Sequence, residues 1–187
     1  FGKSYGGRIL IFDGKKVARG GDDGDCDDDP PATPGPEAVI DLGAQTAAMC
    51  LARTGANPVR PHMVVFNSTE THAALSFVAS GHVVFFDART RAPLDCIRMQ
   101  AGAGGAIQAH AVWPTNDDRY MLVANQNGKL FERIATNYAT NTFPNAEIWA
   151  ADPGGLVVGG GLVYWADPSL EQIGRTTPAG AVQAKRS

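Results

Sequence analysis

Apolar residues along the chain come in short bursts separated by turn residues, and the clearest series runs from Pro61 to Thr90. His62 to Phe66 is apolar, and Asn67-Ser68-Thr69-Glu70 is turn chemistry. Ala73 to Ala79 is apolar, and Ser80-Gly81 is a second turn. Val83 to Phe86 closes the series before Asp87 and Thr90. Bursts of this length, rich in Val and Phe and bounded by Asn, Ser and Gly, predict three strands in a row. A second copy runs AHAVW, PTNDD, RYMLVAN, QNG, KLFERIA over Ala109 to Ala135. Gly81 and Gly128 fall at the same place in the two copies. So do His62 and His110, with one residue of slippage in the first turn.

A shorter unit recurs more widely. Gly7 to Asp13, Gly81 to Asp87 and Gly161 to Asp167 all read Gly, five residues, Asp. Gly admits the tight turn into a strand, and Asp caps the turn after it. The pattern predicts a strand over Arg8 to Asp13, followed by a Gly14-Lys15 turn. It predicts further short strands at Ala38 to Leu42, Ala146 to Ala150 and Leu156 to Val158. Gln45 to Thr54 reads either as two turns of helix or as an irregular strand. Asn137 to Asn145 is a polar loop. Ala179 to Ser187 has no apolar pattern to hold it and reads as a tail.

The order of elements in Ala111 to Asn125 and Val83 to Thr90 resembles the YVTN-type β-propeller repeat: a strand ending Val-Ala-Asn, an Asn-Gly turn, a strand ending Asp-x-x-Thr. Gly161 to Gly180 resembles a strand pair of a YWTD or streptogramin-lyase type blade. The resemblance implies an all-β fold, a β-propeller of four-stranded blades with about 40–50 residues each. At that size 187 residues supply three to four blades. A ring needs four to eight. The expectation is a single propeller domain, or part of one, incomplete in this chain. Its first strand would be the third of a blade, and an acidic, Pro-rich loop would be inserted at 20–37. Further segments or a protein partner would complete it.

Composition narrows the partners. Net charge is −3, and six acids lie between Asp22 and Asp29. Neither this balance nor the Lys185-Arg186 pair reads as a nucleic-acid surface. No run of 18 apolar residues is present to span a membrane. The chain opens at Phe1 without a signal-peptide pattern, which leaves a processing event or a preceding segment as expectations. Its resemblance to exported propellers implies a periplasmic or secreted protein. The three cysteines, Cys26, Cys50 and Cys96, have no zinc spacing. Cys96 reads as a buried, inert thiol. Cys26 and Cys50 either pair or stay reduced.

Candidate chemistry rests on few residues. Asp23, Asp25 and Asp27 alternate as hard oxygen ligands for calcium do, without the Gly and distal Glu of an EF-hand. A solvated acidic loop explains them as well. His62 and His110 occupy equivalent places on what would be the innermost strands, where imidazoles of successive blades converge on copper or zinc. Channel hydrogen bonding is the alternative. The nitrous oxide reductase and methanethiol oxidase types, which this repeat resembles, bind copper through channel histidines. His72 aligns with Arg119 and His82 with Lys129, so both read as surface or blade-edge residues. Asp117-Asp118 reads as a turn, Glu132-Arg133 as an edge ion pair or channel lining, and Trp113, Trp149 and Trp165 as blade packing. No nucleophile–base arrangement and no phosphate loop is present. Two function classes follow: a binding or scaffold propeller, and a copper-dependent oxidoreductase using channel histidines.

Overall fold

The computed structural model describes residues 6–19 and 34–150 and four later strands, with backbone only for 145–150 and for those strands. Three four-stranded antiparallel sheets follow one another. The first is β3 (Pro61–Phe66), β4 (His72–Phe77), β5 (His82–Asp87) and β6 (Pro93–Arg98). The second is β7 (Ala109–Pro114), β8 (Tyr120–Asn125), β9 (Leu130–Ala135) and β10 (Asn145–Ala150). The third is β11 (Gly155–Gly159), β12 (Leu162–Asp167), β13 (Gln172–Thr176) and β14 (Val182–Arg186). Each is a simple meander in sequence order. Ahead of them stands a two-stranded ribbon, β1 (Arg8–Ile11) paired with β2 (Ala38–Asp41), and then helix α2 (Leu42–Thr54). The Asp13-Gly14 junction opens a short helix, α1 (Gly14–Arg19), where a simple turn was expected.

The sequence of sheet one explains its position. A strand alternates its side chains between two faces. Ala74, Val83 and Phe85 enter one core with Val112, Met121 and Val123 of sheet two, and Phe85 stacks on Phe143 at 4.0 Å. Ala73, Leu75, Phe77, Val84 and Phe86 enter another with Ile40, Leu42 and Cys50. Continuous apolar runs such as Val83–Phe86 are what a sheet covered on both faces requires. One face meets the next sheet, and the other meets the ribbon and α2.

α2 settles the ambiguity left at Gln45–Thr54. Asp41 caps it by accepting from the Ala44 N–H at 3.0 Å, and Gly55 closes it in the left-handed region at φ 73°. Its inward side carries Leu42, Thr46 and Cys50. Cys50 is bonded to Cys96 of β6. Cys96 is therefore buried as expected but not a free thiol, and Cys50 pairs with it rather than with Cys26, which lies outside the described residues. The other findings concern the ends. β1 pairs with β2 among the described residues. Val182–Arg186, read as part of a tail, is the edge strand of sheet three, paired through Ile173↔Arg186 to Thr176↔Val182.

Two polar devices tie the sheets together. Asp118, in the β7–β8 turn, accepts from the Ser68 N–H at 3.0 Å and the Ser68 hydroxyl at 2.5 Å, joining equivalent turns of sheets one and two. Asn125 is fully buried. Its Oδ1 accepts from the N–H groups of Gln108 and Gly128, and its Nδ2 donates to the Gln100 carbonyl and the Glu132 carboxylate. Removing one such amide strands several buried partners at once. We expect Asn125→Ala to lower unfolding stability by roughly 2 kcal/mol, read as a shift in urea midpoint. A shift below a few tenths would mean that water replaces the amide.

Candidate functional site

The first strands of the three sheets are neighbours: β7 lies between β3 and β11. The sheets thus fan from a common inner side, and that side holds the two matched histidines. Each sits in a β-bulge. On β3 the register slips by one residue between Pro61↔Phe77 and Val64↔Leu75. On β7 it slips between Ala109↔Asn125 and Ala111↔Ala124. A bulge adds one residue to one strand and turns its side chain out of the regular alternation. His62 is released from the face that carries Val64 and turned toward sheet two.

The two imidazoles meet. Their ring centroids are 4.6 Å apart, with planes tilted by 32°. His62 Nδ1 lies 2.8 Å from the His110 carbonyl oxygen. A carbonyl only accepts, so Nδ1 carries the proton and Nε2 the lone pair. Ser76 donates its hydroxyl to the same carbonyl at 3.4 Å. His110 Nδ1 is buried without a hydrogen-bond partner, and so is the Oε1 of Gln108, two residues away. Burial, and then the charge His62 carries when protonated, push the His110 imidazole below its ordinary range.

The remaining candidates are dispersed. Asp23, Asp25 and Asp27 lie outside the described residues. Among the described residues no three His, Cys, Asp or Glu side chains cluster as a metal set. His72 hydrogen-bonds Thr71 and, through Nε2, Asn141 at 2.9 Å, and it stacks near Tyr138, bridging sheets one and two. Asp117 serves its turn: the Thr115 hydroxyl and Arg119 hold its carboxyl down at about 2. Glu132 is fully buried in the Asn125 network, and the Arg133 guanidinium lies 4.2 Å from the Tyr120 ring centroid; neither is an edge residue. Trp113 is half-buried on β7.

His82 corrects the surface reading outright. It is fully buried beneath α2, with Nε2 2.8 Å from the Thr54 hydroxyl and Nδ1 2.9 Å from the Ser80 hydroxyl. Burial and the nearby Arg98 push its pKa down to about 4. Lys129 was a poor guide because, among the described residues, no helix lies over the matching strand of sheet two.

Two clefts were not legible beforehand. One, of about 590 Å³, opens beside the disulfide, where Arg53 pairs with Asp95 at 2.8 Å. The other, of about 240 Å³, lies between ribbon and sheet one and is walled by Ile9, Ile11, Ile40, Val64, Phe66 and Phe86. Leu10 and Val39 pair across the outer face of the ribbon, each half-exposed.

No family model matches the chain, and no curated protein matches it in sequence. Solved structures do. A periplasmic gluconolactonase of Pseudomonas aeruginosa aligns at TM-score 0.57 and 22% identity over 68% of this chain and 39% of its own. A putative 6-phosphogluconolactonase of Bacteroides uniformis aligns at 0.61 and 14% identity, over 84% of this chain and 44% of its own. The β-propeller domain of Myceliophteria thermophila Cps50 aligns at 0.53 and 15% identity, over 67% and 42%. The fold is a β-propeller, and in this chain the ring is incomplete. The chain spans about two fifths of the length of these propellers, and at such identities the likeness carries the fold alone. The sheets are blades, and the inner side with His62 and His110 is the channel side.

Proposed function

We propose that the chain is a propeller scaffold whose ring is completed by further blades, exported, and used to hold a protein partner. The observation that carries this reading is the ribbon. Ile9, Ile11 and Ile40 face blade one, while Leu10 and Val39 present apolar surface on the other side, with Phe12 exposed beside them. A strand pair apolar on both faces is built to lie between two layers, and among the described residues one layer, blade one, covers it. Neighbours such as the Cps50 β-propeller domain and the WD40 repeats of RRP9 support the propeller part of this reading. Export is supported by the Cys50–Cys96 bond, since disulfides persist in oxidising compartments. The YVTN-type affiliation is supported by the Val-Ala-Asn ending of β8, whose Asn125 ties the Asn127-Gly128 turn to its blade.

A photo-cross-linking residue at position 10 tests this in the cells that make the protein, with position 129 on the far side as control. The expected product is one discrete adduct from position 10, either to a second protein or to a further β-sheet segment of the same polypeptide. No adduct, or the same products from both positions, would overturn the reading.

A further inference from the structure

We infer, resting on the scaffold reading above, that the side of blade one turned away from blade two is an interface for a second copy of this chain, and that two copies pack head to tail into one ring. The repeat supplies the template. Blade two docks on blade one through Val112, Met121, Val123 and Ile134, which share a core with Ala74, Val83 and Phe85. Blade one carries the same docking face on its other side. Register sets Val64 beside Leu75 as it sets Val112 beside Val123, so Val64 holds the place of Val112. Val112 is fully buried, whereas Val64 is 44% exposed. The polar contact of the joint recurs as well. Asp118 and Glu70 each close the first turn of a blade in the left-handed region, at φ 55° and 56°. Asp118 reaches across the joint to the Ser68 N–H and hydroxyl of the blade before it. Glu70 is exposed, and among the described residues its carboxylate accepts no hydrogen bond.

What fits such a side is the far face of another blade, and this chain carries one. Blade three adjoins blade two through β11. Its second strand, β12, reads Leu-Val-Tyr-Trp-Ala before Asp167, an unbroken apolar run of the kind that a sheet covered on both faces requires. Blade two accounts for one of those faces. Each copy therefore has a docking side on blade one and a receiving face on blade three. Of the seven large apolar side chains exposed among the described residues, five lie on the docking side: Leu10, Phe12, Val39, Val64 and Phe66. Apolar exposure gathered in this way marks an interface. A head-to-tail contact gives a closed ring where the rotation per copy closes, and two-fold rings are the commonest. Three blades per copy give six in two copies, within the four to eight that propellers use. The chain matches 39% and 44% of the length of two whole propellers, so two copies come close to one ring.

The test uses the purified whole chain. Sedimentation equilibrium should give a dimer that dissociates on dilution. Val64→Asp buries a carboxylate without a partner and should raise the dissociation constant by more than about 100-fold. Glu70→Lys should raise it by about tenfold or more. Asn127→Lys, at an exposed position in the β8–β9 turn, should leave it unchanged. Val64 and Glu70 are both open to solvent within one copy, so the variants fold, which circular dichroism checks. A photo-cross-linking residue at position 64, in a mixture of isotopically labelled and unlabelled chains, should join one copy to the other within Gly155–Arg186. A monomer at every concentration, a dimer indifferent to both substitutions, or cross-links from position 64 to blade one of the other copy would each overturn the second copy. The cellular cross-link at position 10 keeps the two readings apart. A discrete adduct there to a different protein, with a monomeric pure chain, removes the second copy and leaves the covered ribbon standing.

Discussion

Reducing the Cys50–Cys96 bond should lower the unfolding stability of this chain by about 4 kcal/mol. The bridge joins residues 46 positions apart, and the chain entropy removed from the unfolded state by a loop of that size is worth about this much. Its placement adds to the effect. One cysteine is on α2 and the other on the outer strand of blade one, and both are essentially inaccessible to water. α2 is a non-repeat element, held to the blade by that bond, by the Arg53–Asp95 ion pair and by the Thr54–His82 contact. The ion pair is half-exposed on the Arg53 side and is worth at most about 1 kcal/mol. The bond therefore dominates. Denaturant unfolding of the same protein with and without a strong thiol reductant measures the difference directly, without altering a residue. Coincident midpoints, after mass spectrometry has confirmed reduction, would show that packing alone holds α2.

The sequence made legible what repeats. Blade one and blade two were readable because Val83–Phe86 and Tyr120–Asn125 are runs whose only stable home is a doubly covered sheet, and because Gly81 and Gly128 mark corresponding turns. The histidine pair was readable for the same reason, as a repeated position. What could not be read was whatever breaks the repeat. α2 covers blade one but not blade two, so alignment placed His82 on the surface although it is buried. Its caps, Asp41 and Gly55, were visible in the sequence and were the missed signal. Three cysteines permit three pairings, and only the placement of α2 against β6 chooses among them. The bulges were invisible as such. The one-residue slippage between the copies is where they lie, but it reads equally well as turn variation. β14 was missed because an edge strand, paired on one side only, needs no apolar run to announce it.

Acid should destabilise the protein in the window set by His82. Its folded pKa is about 4 against an ordinary 6.5, because burial beneath α2, and secondarily the charge of Arg98, oppose the imidazolium. Between those values the unfolded chain binds the proton and the folded chain does not, so stability rises with pH. The contribution is complete above about pH 6.5 and is lost as pH falls toward 4. With 1.36 kcal/mol per unit, the loss is about 2 kcal/mol at pH 5 and about 3 kcal/mol by pH 4. His110, also lowered, contributes with the same sign in an overlapping range. Asp117 and Asp87 are lowered from 3.8, so their losses fall at more acid pH and leave this window clear. Urea midpoints from pH 7 to pH 4 should therefore slope in the parent and flatten in His82→Gln, which keeps an amide within reach of the Thr54 and Ser80 hydroxyls. His110→Gln should remove only the smaller share. Reduction of the disulfide offers the sharper arm. A helix freed from blade one no longer shields His82, so the slope should shrink in the reduced protein even where it remains folded. An unchanged slope in His82→Gln would show that other groups govern the acid response.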